Sequence, residues 1–475
     1  MKNATKRLLR LVLVVALSVT GLSTPALAQP PNGDFRARIE AIPGMRVLGE
    51  RPAAPGQIVL DLAYRQPTDH RHPGEGSFDQ RLTLVHKSTQ RPMVLYSSGY
   101  DLGPSPNRLT EPTELLDANQ ITTEQRFFGT SRPEGSDWSK LTIWQAASDH
   151  HRLVTALRKL YRGAWISTGG SKGGMTAVYH RRFYPEDVAG TVASPAPNNT
   201  DDRDDSAYDA RLEQIGTAEC RAAVKSVQRE ALIRREAMTE RYGRWAEGER
   251  NTFRTIGSVD RAFELAVLRL PMMFWMHQPT GGCASIPTAA ATDDVLYAWV
   301  AKVTQLPVYT DQTLEAFTPY FYQLGTQLGY AQFVTPYLDG LLRYPGIQEI
   351  RSYVPRDIPL RFRAAAMADI DRWVRHRGSS LMFVDGENDV AVAEPFRLGN
   401  GTHDSYLFNV PGADHHVSIT GLRPDDAEQA TVALRRWAGT SAGSVIGAQP
   451  AVDHQRRPDV SPCRWACLRC PRCCR

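Results

Sequence analysis

The stretch 163–195, GAWISTGGSKGGMTAVYHRRFYPEDVAGTVASP, constrains this chain more than any other. A short apolar run at 163–168 leads into Gly169-Gly170-Ser171-Lys172-Gly173, a G-x-S-x-G pentapeptide, and residues 175–184 read as a helix. Strand, sharp turn, helix is the context in which that pentapeptide becomes a nucleophile elbow. Glycines at 169 and 173 remove the Cβ atoms that would clash when a serine is held in a strained turn. Ser171 is then expected to project its hydroxyl from the top of a sheet, and the Lys172 N–H, opening the helix, to supply half of an oxyanion hole. A pentapeptide alone would also fit an inert Gly-rich turn; the flanks decide against it.

Around the elbow, strand and helix patterns alternate. Residues 58–64 and 81–86 alternate apolar and polar side chains, as half-buried strands of an antiparallel ribbon do. The run 92–96 is a strand ending at Ser97-Ser98-Gly99-Tyr100. The loop after the third strand is where the second oxyanion donor comes from in this topology, and the Tyr100 N–H is the candidate. Residues 121–128 read as the next strand, 141–161 as a crossover helix and 188–193 as another buried strand. Such alternation specifies a parallel sheet covered on both faces.

Between 200 and 377 the alternation stops. Segments 211–242, 259–276, 293–303 and 313–342 read as helices with no strand between them, which is the pattern of a cap inserted over the sheet's carboxyl edge, where ligands bind. The block is rich in large apolar residues, among them Trp275, Trp299, Phe317, Tyr320, Tyr322 and Tyr330. Most are expected to pack within the cap; a minority facing Ser171 would form an aromatic pocket suited to a flat ring such as proline.

The alternation then resumes. Residues 380–384 form a buried strand leading into Asp385-Gly386-Glu387-Asn388-Asp389, and 404–410 a strand leading into Pro411-Gly412-Ala413-Asp414-His415-His416. A helix at 425–437 follows Pro424. A serine hydroxyl is almost wholly protonated at neutral pH and needs a base, which in turn needs an acid to fix its tautomer. Chain order Ser, Asp, His and the two late loops assign the triad Ser171, Asp389 and His415. Asp385 competes as the acid and His416 as the base. Asp389, past Gly386, is better placed to reach the next loop. Glu124 and Arg126 leave the sheet edge together and most simply form an ion pair; the sharper alternative has Glu124 or a cap carboxylate receive the free amine of a peptide, because a desolvated ammonium without a partner costs several kcal/mol.

Composition sets the frame. Residues 1–28 read as a secretory leader: Lys2, Lys6, Arg7 and Arg10 precede the apolar 11–22, and Ala26-Leu27-Ala28 is a small-x-small cleavage site. The apolar run is short for a membrane span, so no membrane association is expected after removal of the leader. The formal charge of +5 comes from the ends; without the leader and the Arg-rich residues 451–475 the body is near −3. That argues against nucleic acid as a partner. The expected divisions are leader 1–28, core 29–199, helical cap 200–377, core 378–438 and tail 439–475. Of seven cysteines only Cys220 and Cys283 lie in the body, and outside the cell they are expected to pair. The other five crowd the last thirteen residues, where Cys-x-x-Cys spacing with His454 suggests zinc, but the absence of apolar periodicity favours a disordered appendage.

Several motifs together carry a resemblance: Gln66-Pro67-Thr68-Asp69-His70 with Phe78-Asp79-Gln80-Arg81, Glu124-Gln125-Arg126-Phe127-Phe128-Gly129, Gly169 through Gly174, Tyr322-Gln323 with Thr326-Gln327-Leu328-Gly329, and Gly412 through His415. Over roughly 61–437 the chain resembles the secreted bacterial serine aminopeptidases that release tri- and tetrapeptides after proline. It is similar, more distantly, to the family of lysosomal prolyl carboxypeptidase and dipeptidyl peptidase II. The resemblance implies an α/β-hydrolase core with a helical cap, no metal or organic cofactor, and peptide substrates with a free N-terminus. Glu124, Gln327, Tyr322 and Trp275 are the substrate-binding candidates, and a secreted monomer is expected. Two departures stand out: Lys172 follows the serine where the distant family has tyrosine, and Gln327 replaces a glutamate. An esterase or lipase with the same triad, and a non-catalytic surface binding protein on the same scaffold, are the competing functions.

Overall fold

The structure is a computed structural model that describes residues 32–135, 137–278 and 281–440. The expected leader lies outside those residues, and so does all but the first two positions of the expected tail, including its five cysteines. After helix α1 (Asn32–Glu40) come β1 (Met45–Arg51), β2 (Ile58–Pro67), β3 (Ser77–His86) and β4 (Met93–Ser97). Helix α2 (Glu111–Leu115), β5 (Asn119–Thr123), α3 (Ile143–Leu157), β6 (Trp165–Gly169), α4 (Lys172–Phe183) and β7 (Gly190–Ala193) complete the first part. A helical block follows: α5 (Ser206–Gln214), α6 (Ala218–Ile233), α7 (Arg235–Gly248), α8 (Val259–Met276), α9 (Asp293–Thr304), α10 (Asp311–Gln323) and α11 (Ala365–Arg377). Then β8 (Leu381–Gly386), β9 (Tyr406–Val410) and α12 (Pro424–Trp437) return to the sheet.

All nine strands join one sheet in the order β1-β2-β3-β5-β4-β6-β7-β8-β9. The first four in that order pair antiparallel, and from β5 to β9 every pair is parallel. The central strands β6 and β7 are buried at every position, as parallel strands covered on both faces must be. Because β4, β6, β7, β8 and β9 run the same way, the loops that follow them gather at one edge. Eight strands in this order, with a serine turn after β6 and helices on both faces, make an α/β-hydrolase sheet; β1 is an added edge strand that the sequence reading did not identify.

Three other readings change. The strand expected over 121–128 ends at Thr123: the Gln125 N–H turns away to the Tyr100 carbonyl (2.8 Å), and Phe127 takes φ +72°. The helix expected over 211–242 is three helices, broken first at Gly216, whose φ is +62° and whose bare Cα lies against the Trp275 ring. The helix expected over 313–342 stops early: α10 passes into a π-helical turn (Leu324–Leu328) and then Gly329 at φ +81°. Beyond it the N–H groups of Tyr330, Gln332 and Val334 donate to the carboxylates of Asp202, Asp205 and Asp209. Alternate amides directed at one acidic segment hold that chain extended.

One apolar cluster runs from the sheet-facing side of α3 and α4 (Ile143, Met175, Val178) through the helical block to Phe274 and Val300. The block therefore shares its core with the sheet. Within it, Cys220 and Cys283 form the expected disulfide. Among the described residues no helix is long and apolar enough to cross a membrane.

Candidate active site

The turn after β6 is built by close approach. Ser171 has φ +54° and ψ −125°, a conformation that costs about 1–3 kcal/mol for a residue with a Cβ and persists only when its surroundings enforce it. Here they do: the Ser171 N–H donates to the Pro195 carbonyl (2.8 Å), and the Gly173 N–H to Gly170 (2.8 Å). A Cβ on Gly173 would overlap the Ser97 carbonyl, and one on Gly99 would overlap the Gly173 amide. The loop after β4 thus lies directly on the start of α4. Lys172 opens that helix, so its N–H has no acceptor within the helix and is free to serve a ligand.

Asp389 and His415 are brought together. Nδ1 of His415 lies 2.6 Å from Oδ2 of Asp389, a fully buried carboxylate whose Oδ1 accepts the Ala391 N–H (2.9 Å). Burial is the strongest influence on His415 and opposes its charge, but Asp389, with Asp414 and Asp385 adding, outweighs it, and the imidazole pKa rises above its usual value. The competitors fall elsewhere. His416 is exposed and pairs with Asp414 (3.1 Å). Asp385 faces the Ala196 N–H (3.4 Å), and burial, reinforced by the Asp389 charge, pushes its carboxyl up to about 7. A contact chain links the pair to the nucleophile: Ser171 bonds to Pro195, and the next residue, Ala196, reaches Asp385, which feels both Asp389 and His415.

The two oxyanion candidates differ from expectation at Tyr100. Its N–H is turned to the Ser98 hydroxyl (3.2 Å), which itself donates to the carbonyls of Tyr100 and Thr123. What Tyr100 turns toward Ser171 is its phenol, half-buried and also neighbouring Tyr320, with desolvation holding its pKa well above the ordinary value. Beneath it, the Lys172 ammonium contacts the Gly99 carbonyl (2.5 Å) and lies over the Phe128 ring (4.8 Å); burial drives its pKa far down.

The four substrate-binding candidates are each engaged in packing or support. Glu124 does not pair with Arg126. Its carboxylate accepts the Ser131 N–H and hydroxyl (3.0 and 2.6 Å), tying the turn together, and burial raises its pKa. Arg126 instead grips Asp149 with two bonds (2.6 and 2.8 Å), and His70 reaches the same carboxylate (2.7 Å). Gln327 accepts the Ile143 N–H (2.9 Å) and so caps α3. Tyr322 packs on Trp138 (centroids 5.3 Å), and Trp275 is buried against Phe274 and Gly216. The aromatics that do reach the nucleophile's surroundings are Tyr320 and Phe317, 5.3 and 6.0 Å from the Tyr100 ring. The sequence named both within the cap run, but helical spacing gave no means of telling them from their packed neighbours.

Sheet order, strained serine turn and carboxylate-bound imidazole define an α/β-hydrolase of the serine type. Residues 28–458 match the family described as PS-10 peptidase S37, and the chain belongs to it. It is 48% identical over 450 residues to the prolyl tri/tetrapeptidyl aminopeptidase of Streptomyces mobaraensis, covering 94% of each chain. A lysosomal Pro-X carboxypeptidase of Mus musculus is 32% identical over 155 residues, 29% of this chain and 32% of that one. The crystal structure of a proline iminopeptidase of Mycobacterium smegmatis overlaps 79% of this chain and 98% of its own at 15% identity and a TM-score of 0.38, too low to add to the argument from strand order.

Proposed function

We propose that the protein is an exported serine exopeptidase that releases short peptides, three or four residues long, from free N-termini by cleaving after proline. The observation that carries this reading is the Asp389–His415 pair on the same sheet edge as a strained Ser171. His415 Nε2 takes the Ser171 proton as the oxygen attacks the carbonyl carbon after proline. The tetrahedral oxyanion is held by the Lys172 N–H and the Tyr100 hydroxyl. His415 returns the proton to the departing amine, and water then repeats the sequence to free the acyl group. Tyr100, Phe317, Tyr320 and Phe128 offer ring faces to a prolyl side chain. Export is supported by the leader pattern and by the Cys220–Cys283 disulfide, a bond kept in oxidising compartments. The 48% identical relative is named for this activity.

The test compares Ala-Ala-Pro-anilide with its N-acetylated form and with short acyl esters. Wild-type enzyme should cleave the free-amine anilide best, and Ser171→Ala should lose turnover and phosphonofluoridate labelling while remaining folded. Preference for esters over any anilide would make it an esterase; a fully active Ser171→Ala would end the proposal.

A further inference from the structure

An exopeptidase that reads a free N-terminus must provide acceptors for a desolvated ammonium, which carries three N–H donors. Glu124 gives Oε2 to the Ser131 N–H and hydroxyl, and the Gln327 side-chain oxygen accepts the Ile143 N–H, so both already brace the fold. Elsewhere on the same sheet edge, three groups have acceptors to spare. Asp205 gives Oδ2 to the Gln332 N–H (2.9 Å), while its buried Oδ1 has no hydrogen-bond partner. Oε2 of Glu394 is buried and equally without one. Independently of these carboxylates, the Asn199 amide is 4% exposed, stands beside the Tyr208 phenol, and makes no hydrogen bond of ordinary geometry through its oxygen or its nitrogen. A buried amide left open in this way costs about 1–3 kcal/mol unless a ligand completes it.

The three belong to one place. The Asn198 N–H donates to the Glu394 carbonyl (2.8 Å), and Pro197 bridges Pro395. Tyr208, which faces Asn199, feels the charges of both Glu394 and Asp205, as well as the Tyr320 phenol. The same segment begins at Pro195, which holds the Ser171 N–H. Between cluster and nucleophile stand Tyr320 and Tyr100, whose rings meet edge to face with centroids 5.3 Å apart.

We propose that the free α-ammonium of the peptide substrate is received by Asp205 Oδ1, Glu394 Oε2 and the Asn199 amide oxygen, with the chain running past Tyr320 to place its prolyl carbonyl at Ser171. This rests on the exopeptidase reading given above. The local electrostatics agree. Burial, with neighbouring carboxylates adding, raises Asp205 to about 6 and Glu394 to about 7. The nearby cations relieve them only in part: Arg269 lowers Asp205 but spends its bonds on the Ala331 carbonyl and the Met272 sulfur, and Arg397, which lowers Glu394, is exposed. An arriving ammonium supplies the missing charge.

The experiment measures kcat/KM for Ala-Ala-Pro-anilide and its N-acetyl form in wild type, Glu394→Gln and Asp205→Asn. Both substitutions are isosteric, and the asparagine keeps an acceptor for Gln332; phosphonofluoridate labelling of Ser171 counts competent sites. The ratio of free to blocked substrate should fall roughly 10- to 100-fold in each variant, the equivalent of one charge-assisted hydrogen bond. An unchanged ratio in variants that label fully overturns the anchor alone. Loss of labelling in both variants overturns it as well, since these groups would then hold the fold and not the substrate. A wild-type enzyme indifferent to acetylation overturns the exopeptidase reading itself, and shows this before any variant is made.

Discussion

The backbone N–H of His415 donates to the carbonyl of Met276, 3.1 Å away, so the loop that carries the imidazole is fastened to the last residue of α8 in the helical block. The His277 ring follows at 5.9 Å from His415, edge-on, its own pKa lowered to about 4 by burial and then by the two neighbouring histidines. The block is therefore part of what positions the base, and its rigidity becomes a catalytic variable.

The disulfide bears on that rigidity, because it ties α6 to the segment just beyond α8 across 63 residues. Replacing both cysteines, as Cys220→Ala with Cys283→Ala, removes a cross-link whose loop length corresponds to about 4 kcal/mol of unfolding free energy. Urea titration should show that loss. Activity should disappear at lower urea than the far-ultraviolet signal, because the His415 loop loosens with the block before the sheet melts. Coincident loss of both signals would mean that the block and the base are not coupled in this way.

A second expectation concerns pH. Burial opposes charge on His415, but the neighbouring carboxylates prevail, so the imidazole loses its proton only above the usual 6.5. The base works when neutral, and the acidic limb of kcat/KM should accordingly lie above 6.5. Stability runs the other way: the raised value stabilises the fold fully below the unfolded value and is lost as pH rises through the folded one. Asp389→Asn removes the dominant opposing charge, so burial takes over and the limb should shift to lower pH. The plateau should fall roughly 10⁴-fold through loss of the correct tautomer. A pH–rate profile of the variant with an unshifted limb would separate Asp389 from the titration.

The residues of the proposed triad were legible because their signals are local. Gly169 and Gly173 bracket a serine between an apolar run and a helix, and the two late strands end in Asp389 and His415. What the sequence could not convey was which way a side chain turns once the chain leaves a regular element. Glu124 and Arg126 are two positions apart and opposite in charge, yet Arg126 finds Asp149 on α3, a partner no spacing rule reveals. Topology put the Tyr100 N–H forward as an oxyanion donor, but the Ser98 hydroxyl captures that N–H, and the phenol is the group that neighbours Ser171. In the block, helical spacing marks apolar faces without ranking them, so Trp275 and Tyr322 could not be told from Tyr320. Nor does spacing link 202–209 to the segment 330–334, whose N–H groups donate to the carboxylates of Asp202, Asp205 and Asp209.

The Arg126–Asp149 pair carries its own test. Both side chains are buried, and Arg126 also donates to the carbonyls of Pro67, Thr68 and Lys140, so it joins β2, the turn after β5 and the start of α3. Arg126→Ala strands a buried carboxylate with only His70 beside it, for which the expected loss is about 3–5 kcal/mol. Arg126→Met with Asp149→Leu should recover most of it, since apolar replacement of a whole buried pair is often neutral. Thermal unfolding of the single and double variants decides; a single variant as stable as wild type would mean that the pair contributes little.

Tyr100 provides the sharpest chemical expectation, because its two polar groups can be separated. If the phenol donates to the developing oxyanion, Tyr100→Phe removes one of two donors while leaving the ring that packs on Phe128, Phe317 and Tyr320. Losing such a donor costs about 10²–10³ in kcat. KM should change little, since the ground-state carbonyl calls on that hydrogen bond far less than the oxyanion does. Folding should change by no more than about 1 kcal/mol, the worth of one ordinary hydrogen bond. A variant that keeps its kcat but raises KM would place the phenol in ground-state binding, and the second oxyanion donor would have to be sought elsewhere on the loop after β4. Loss of the phenol should weaken tri- and tetrapeptide substrates equally in kcat, since the oxyanion is common to both.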